Sequence, residues 1–138
     1  MISLKSGTDI RGIASEGVEG ERINLTDDVI RKITAAFIKW LSKYTSKPER
    51  SLPISIGHGS RISAERIKTA AVSAMGGIGK IYDAGLASTP AMFMSVIDLN
   101  CDGAIQITAS HHPFNRNGLK FFTKNGGLNE KDIEDILK

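Results

Sequence analysis

A serine, two adjacent histidines and a lysine lie close together in residues 107–122, ITASHHPFNRNGLKFF. Ser110 follows an apolar run that is typical of a buried strand, and α/β sheets bind ligands beyond the carboxyl ends of their strands. His111 titrates near neutral pH, and the Lys120 ammonium can stabilise a phosphate or an oxyanion. The Asn117-Gly118 pair is typical of a tight turn, which would return Lys120 toward Ser110. These residue types predict a nucleophile or phosphoryl carrier at Ser110, with a polar turn between two strands as the structural alternative.

Two familiar kinds of site fit this stretch poorly. The sequence around Ser110, TASHH, lacks the G-x-S-x-G pattern of a hydrolase nucleophile elbow. His58, His111 and His112 are the three histidines of the chain, and they have no H-x-x-x-H spacing. Adjacent histidines diverge and rarely bind one metal ion, so a histidine-rich zinc site is not expected.

Two further clusters carry arginines among glycines. GTDIRGIA, residues 7–14, predicts a short irregular segment in which Arg11 either pairs with Asp9 or contacts an anionic group. GHGSRIS, residues 57–63, follows a predicted strand and begins a helix, so it is either a simple connecting turn or a phosphate-binding site that uses Arg61. It is not a P-loop, because no G-K-[ST] follows.

Helices and strands alternate along the chain. The expected helices begin near the capping residues Thr26, Ser63, Thr89 (with Pro90 at the first helical position) and Asn129. Between them, apolar runs bounded by Gly, Pro and Asn predict four strands, which begin near Pro53, Ile78, Asp102 and Gly118. The last two strands follow each other without a helix and should pair antiparallel.

This order predicts an α/β fold, specifically a single three-layer domain with a mixed four-stranded sheet and helices on both faces. The length of 138 residues is enough for one core. The net charge of +3 comes from scattered, interleaved charges, so we expect no nucleic-acid partner. We expect no membrane span, since no apolar run approaches about 20 residues. The single Cys101 fits a reducing, cytoplasmic location.

The clusters together resemble the N-terminal domain, domain I, of the α-D-phosphohexomutases, the superfamily of phosphoglucomutase and phosphomannomutase. GTDIRG is similar to the N-terminal G-T-D motif of that family, and residues 88–90 match its S-T-P segment. TASHHPFNRNGLK, residues 108–120, is similar to its active-site loop, T-[AG]-S-H-N-P-x-x-x-N-G-x-K. Two positions depart from the family pattern, His112 in place of Asn and Gly59 in place of Asp.

The resemblance implies a set of roles for this chain. Ser110 would carry the phosphoryl group and contribute a ligand to Mg²⁺, while His111, Lys120 and Arg11 would assist catalysis. Asn117 and Arg61 would bind substrate. Either His111 or Lys120 would be the base that removes the hydroxyl proton, and the sequence leaves this choice open. Further partners would be a phosphosugar substrate and a glucose 1,6-bisphosphate-type activator.

Family members have four domains, so residues 1–138 would be the first, and the metal, sugar and distal phosphate loops of the later domains are absent from this sequence. The complete enzyme would interconvert hexose 1-phosphate and hexose 6-phosphate through a phosphoserine and a bisphosphate intermediate. The isolated domain would fold without turnover. The alternatives are a stand-alone phosphosugar-binding module without turnover and a serine hydrolase.

Overall fold

One mixed β-sheet forms the centre of the domain in the computed structural model, which describes residues 2–108 and 113–138. Seven strands belong to it in these residues: β1 (Lys5–Ser6), β2 (Asp9–Ile13), β3 (Pro53–His58), β4 (Lys80–Leu86), β5 (Gly103–Ile107), β6 (Arg116–Thr123) and β7 (Gly126–Gly127). They pair in the order β1-β2-β6-β5-β3-β4, with β7 beside β6. β3 pairs parallel with β4 and β5, whereas β6 is antiparallel to both β5 and β2.

The mixed sheet and the antiparallel pairing of β5 with β6 are confirmed, but the expected number of four strands is wrong. The strands that the sequence did not predict are β1, β2 and β7, of which β1 and β7 have two residues each. β2 falls in the segment expected to be irregular, and its sequence DIRGI has two isoleucines among charged residues and a glycine. Pairing with β6, not local propensity, makes this segment a strand.

Four α-helices surround the sheet in the described residues: α1 (Asp27–Thr45), α2 (Ala64–Ser73), α3 (Thr89–Asp98) and α4 (Glu130–Leu137). The predicted caps Thr26 and Asn129 are confirmed, since each side chain accepts a hydrogen bond from a backbone N–H of its first turn. The cap of α3 is Ser88, one residue before the expected Thr89. Ser63 precedes α2 as expected, but its hydroxyl makes no capping hydrogen bond.

Helices cover both faces of the sheet, which confirms the three-layer architecture. Along β5, Ile105 belongs to the larger core, which contains buried residues of α1, α2 and α4, while Ala104 packs with Met92 and Val96 of α3. Neighbouring residues of a strand point to opposite faces, so α3 lies on the face opposite the other three helices. Phe37 of α1 stacks on Phe121 of β6 in the larger core, with ring centroids 4.2 Å apart.

Cys101 is buried, and burial raises the pKa of its thiol. No helix in the described residues is long and apolar enough to cross a membrane.

β2 and β6 approach each other closely at Gly118, which pairs with Arg11. A Cβ atom on Gly118 would overlap the carbonyl oxygen of Ile10, lie 2.9 Å from Arg11 Cγ and lie 3.1 Å from the carbonyl oxygen of Thr108. Two of these atoms belong to backbone held in the sheet, so they cannot move away cheaply. The glycine is therefore required by space between the strands.

We predict that Gly118→Ala destabilises the fold by about 3 kcal/mol, at the upper end of the usual cost of overpacking. Urea unfolding followed by circular dichroism measures this difference. Gly76→Ala is the matched control, because a Cβ atom on Gly76 would have no heavy atom within 4 Å. Equal unfolding midpoints for the two variants would contradict the proposed crowding at Gly118.

Candidate active site

The carboxyl ends of β2, β3 and β5 lie at one edge of the sheet, because these three strands run in the same direction. Thr108 and Pro113 flank residues 109–112 in the chain, and this segment follows β5. Ser110, His111 and His112 lie outside the described residues, so their predicted roles stay predictions. The structure does describe the residues around this segment, and these bring together several of the predicted side chains.

Asp9 joins the two predicted cations of the site. Its Oδ2 accepts a hydrogen bond from Arg11 Nη2 at 2.6 Å, and its Oδ1 accepts one from Lys120 Nζ at 2.9 Å. Ile10 pairs with Leu119, so Asp9 and Lys120 are neighbours across the β2–β6 ladder. The side chains of Asp9, Arg11 and Lys120 are 14%, 9% and 24% exposed. This partial burial reduces the screening of both ion pairs by water, while each charge also loses part of its hydration.

Arg11 also reaches the backbone that precedes the Ser110 segment. Its Nη1 donates a hydrogen bond to the carbonyl oxygen of Thr108 at 3.1 Å. The side chain passes close to Gly118, the residue opposite Arg11 on β6, where a Cβ atom would crowd Arg11 Cγ. The guanidinium is thus fixed by Asp9 on its own strand and by Thr108 at the end of the β5 strand.

The described backbone on both sides of residues 109–112 is held by the segment that follows β3. The N–H of Gly59 donates to the carbonyl oxygen of Ile107 at 2.9 Å. Arg61 Nη1 donates to the carbonyl oxygen of Pro113. The Gly59 N–H therefore binds the last residue of β5, before the Ser110 segment. Arg61, which was predicted to bind substrate, contacts Pro113, the residue after that segment.

The Asn117-Gly118 pair does not form the expected turn. Both residues lie inside β6, and the turn before this strand includes Phe114 and Asn115. Asn117 is fully buried, its Nδ2 donates to Ser63 Oγ at 2.9 Å, and its Oδ1 accepts the N–H of Gly118 at 2.9 Å. Lys120 thus comes near the site through strand pairing and not through a tight turn. The substrate-binding role of Asn117 stays a prediction.

Sequence reasoning missed two contributions to this site. It paired Asp9 with Arg11 but did not place it beside Lys120, which requires the register of β2 against β6. It also passed over Gln106, which pairs with Lys120 across the β5–β6 ladder and is buried. Gln106 Nε2 donates to the carbonyl oxygen of Ala87 at 2.8 Å, and within the described part of the chain its Oε1 has no hydrogen-bond partner. A polar residue in a predicted buried strand was the available signal.

His58, at the carboxyl end of β3, belongs to a separate cluster of polar residues between β3, β4 and α2. Its Nδ1 lies 2.8 Å from the carbonyl oxygen of Gly59, and its Nε2 lies 3.3 Å from Glu65 Oε1. Beside it, Lys68 Nζ lies 2.7 Å from Asp83 Oδ2, and the hydrogen bond from Lys68 lowers the pKa of Asp83. These contacts account for His58 without a ligand.

The described residues offer little to a metal ion. Residues 2–108 and 113–138 contain no group of three His, Cys, Asp or Glu side chains placed to hold one. Asp9 is the carboxylate nearest to Arg11 and Lys120, and both of its oxygens accept hydrogen bonds from those cations. The metal-binding role of Ser110, which the resemblance implies, lies outside the described residues and stays a prediction.

The chain is similar in sequence to phosphoglucosamine mutases. The chain is 33% identical over 134 residues to a phosphoglucosamine mutase from Clostridium botulinum, covering 96% of this chain and 27% of that protein. It is 35% identical over 134 residues to a phosphoglucosamine mutase from Nautilia profundicola, covering 96% of this chain and 28% of that protein. The chain thus spans little more than a quarter of the length of these relatives.

Solved structures share the fold at lower sequence identity. A phosphoglucomutase/phosphomannomutase family protein from Burkholderia thailandensis superposes with a TM-score of 0.76 at 20% identity, over 98% of this chain and 29% of that one. A putative phosphomannomutase from Thermus thermophilus gives a TM-score of 0.76 at 22% identity, over 96% and 29%. The family described as phosphoglucomutase/phosphomannomutase, alpha/beta/alpha domain I, matches residues 4–138. This chain therefore belongs to the phosphoglucomutase/phosphomannomutase family and has the fold of its domain I.

Proposed function

We propose that this chain is the phosphoserine-carrying domain of a phosphohexomutase, and that Ser110 is the phosphoryl carrier. The observation that supports the proposal best is the pair of cations, Arg11 and Lys120, held by Asp9 beside the backbone that leads to Ser110. The complete enzyme would interconvert hexose 1-phosphate and hexose 6-phosphate. Glucosamine phosphate is the first substrate to test, since phosphoglucosamine mutase is the name of the relatives.

Charge neutralisation is the first task of the proposed site. A phosphoserine carries about −1.5 to −2 charges at pH 7, and phosphoryl transfer depends mainly on positioning and on stabilising that charge. Arg11 and Lys120 place two positive charges against the single negative charge of Asp9, which leaves a net positive charge at the sheet edge. Arg11 also fixes the carbonyl of Thr108, two residues before Ser110 in the chain.

The transfer moves one phosphoryl group and one proton in each half-reaction. A sugar hydroxyl attacks the phosphorus, and its new P–O bond forms as the bond to Ser110 Oγ breaks. The hydroxyl proton passes to a base, and the departing Ser110 Oγ takes up a proton. The resulting bisphosphate then reorients in the site and transfers its other phosphoryl group to Ser110. Lys120 donates to Asp9 and fits the cationic role, so we assign the base to His111.

Two cofactors accompany this proposal. A magnesium ion bound at Ser110 would neutralise charge on the phosphoryl oxygens. A glucose 1,6-bisphosphate-type activator would phosphorylate Ser110 when the enzyme has lost its phosphoryl group. The other metal ligands and the groups that recognise the sugar would lie in regions that correspond to the rest of the relatives' length.

We predict that Ser110→Ala lowers mutase turnover by several orders of magnitude in the full-length protein, because the covalent route is lost. Its cost in unfolding free energy should stay within about 1 kcal/mol, since one oxygen is removed. A coupled mutase assay, thermal melting and mass spectrometry of the Ser110 peptide measure these quantities.

Near-normal turnover without phosphate on Ser110 in the wild type would end the assignment, and an acyl adduct on Ser110 from an ester probe would favour a serine hydrolase. A protein that binds phosphosugar without turnover would favour the binding module.

We predict that Lys120→Ala lowers turnover by about 10²–10³-fold, the usual cost of removing one group that stabilises developing charge. The same assay with Lys124→Ala is the matched control, because Lys124 lies on the turn after β6, where it contacts Asn100 and Asp102 away from Arg11. Equal turnover in the Lys120 and Lys124 variants would remove Lys120 from the proposed site.

A further inference from the structure

A buried hydrogen bond links β6 to the start of α2. Asn117 of β6 is fully buried and donates from Nδ2 to Ser63 Oγ at 2.9 Å, and Ser63 is buried as well. The remaining polar atom of the amide, Oδ1, accepts the N–H of Gly118. The orientation of the amide is therefore defined at both ends. Removing either partner of such a bond leaves a buried polar atom unsatisfied.

Ser63 makes this bond in place of the usual one for its position. Thr26, Ser88 and Asn129, which precede the other three α-helices of the described residues, each accept a hydrogen bond from the first turn of their helix. Ser63 has helical backbone angles, φ −80° and ψ −5°, and makes no such bond. A capping side chain usually stabilises a helix by about 1 kcal/mol. In its place, the hydroxyl fixes the start of α2 to the strand that carries Lys120.

The segment between β3 and Ser63 contacts the backbone on both sides of residues 109–112. Gly59 donates to Ile107 on the near side, and Arg61 donates to Pro113 on the far side. The segment 59–62 is only four residues long, and β3 fixes its first end. The position of Ser63 fixes its second end. A shift of Ser63 would therefore be transmitted to both flanks of the segment that carries Ser110.

We propose that Asn117 and Ser63 are positioning residues. Their hydrogen bond, by way of segment 59–62, holds the backbone at Ile107 and Pro113, on either side of the segment that carries Ser110. The inference rests on the proposed function, in which Ser110 carries the phosphoryl group. It gives Asn117 a role through Ser63, in place of the direct substrate contact that the sequence suggested. Both side chains would act through this backbone, so the effect is expected on the rate of transfer and not on substrate binding.

The test uses Ser63→Ala and Ser63→Thr in the full-length protein, with Thr26→Ala as the matched control. Thr26→Ala removes a capping hydrogen bond from α1 without touching segment 59–62. We expect Ser63→Ala to lower kcat by about 10- to 100-fold, as misplacement of a reacting group by about 1 Å does, with KM changed less than about twofold. Ser63→Thr keeps the accepting hydroxyl and should restore most of kcat, and Thr26→Ala should keep kcat.

A purely stabilising role of Ser63 predicts a different result, so the melting temperature and kcat together distinguish stabilisation from positioning. If Ser63→Ala and Thr26→Ala both lower the melting temperature and both keep kcat when assayed well below it, the positioning role is overturned. A double-mutant cycle with Asn117→Ala tests whether the two residues act through one bond. If the two residues act through one bond, the double variant should lose about as much kcat as either single variant, and additive losses would overturn the proposal.

Hydrogen exchange provides a readout that does not depend on mutase activity. The Gly59 amide, which donates to Ile107, should exchange at least about tenfold faster in Ser63→Ala than in the wild type and in Thr26→Ala. Should the wild type show no mutase turnover, the proposed function fails, but this change would still support the link from Ser63 to segment 59–62. Unchanged exchange at Gly59 would overturn that link whatever the activity.

Discussion

The carboxylate of Asp9 is the charge on which the arrangement of this sheet edge depends. It accepts hydrogen bonds from Arg11 on its own strand and from Lys120 on β6, and all three side chains are largely shielded from water. Two cations this close would repel each other without it, at a dielectric lower than that of bulk water. The carboxylate thus permits a local excess of positive charge that remains stable in the absence of an anionic ligand.

The contacts of Asp9 depend on how β2 pairs with β6. Asp9 and Arg11 reach Lys120 and Thr108 only because β2 pairs antiparallel with β6 in a register that places Gly118 opposite Arg11. A shift by one residue would turn Asp9 and Arg11 to the other face of the sheet. The core supports the same register, because Ile10 and Leu119, which pair with each other, are both buried in the larger core.

Features encoded over short stretches of sequence were predictable, and those that depend on long-range pairing were not. The capping chemistry at Thr26 and Asn129 and the antiparallel pairing of β5 with β6 follow from residues close in the chain. β2 has too few apolar residues to indicate a strand by itself, so four strands were expected where the described residues form seven. The Asn117-Gly118 pair has the composition of a turn, but burial of the amide and close contact with β2 place it inside β6.

The candidate site shows the same division. Arg11 and Lys120 were recognised from their types and motifs, whereas their common partner Asp9 depends on a contact between residues 111 positions apart.

Ser63 was predicted to cap α2, because a serine before a helix usually does so. Its partner is Asn117, 54 residues away, and the local rule failed because a buried amide competes for the same hydroxyl. α2 lacks a capping hydrogen bond that α1, α3 and α4 have, and the residue before it, Ser63, is instead bonded to the strand that carries Lys120. A local rule that fails for an identifiable physical reason marks a position where another requirement dominates, and here that requirement is the placement of the backbone on either side of Ser110.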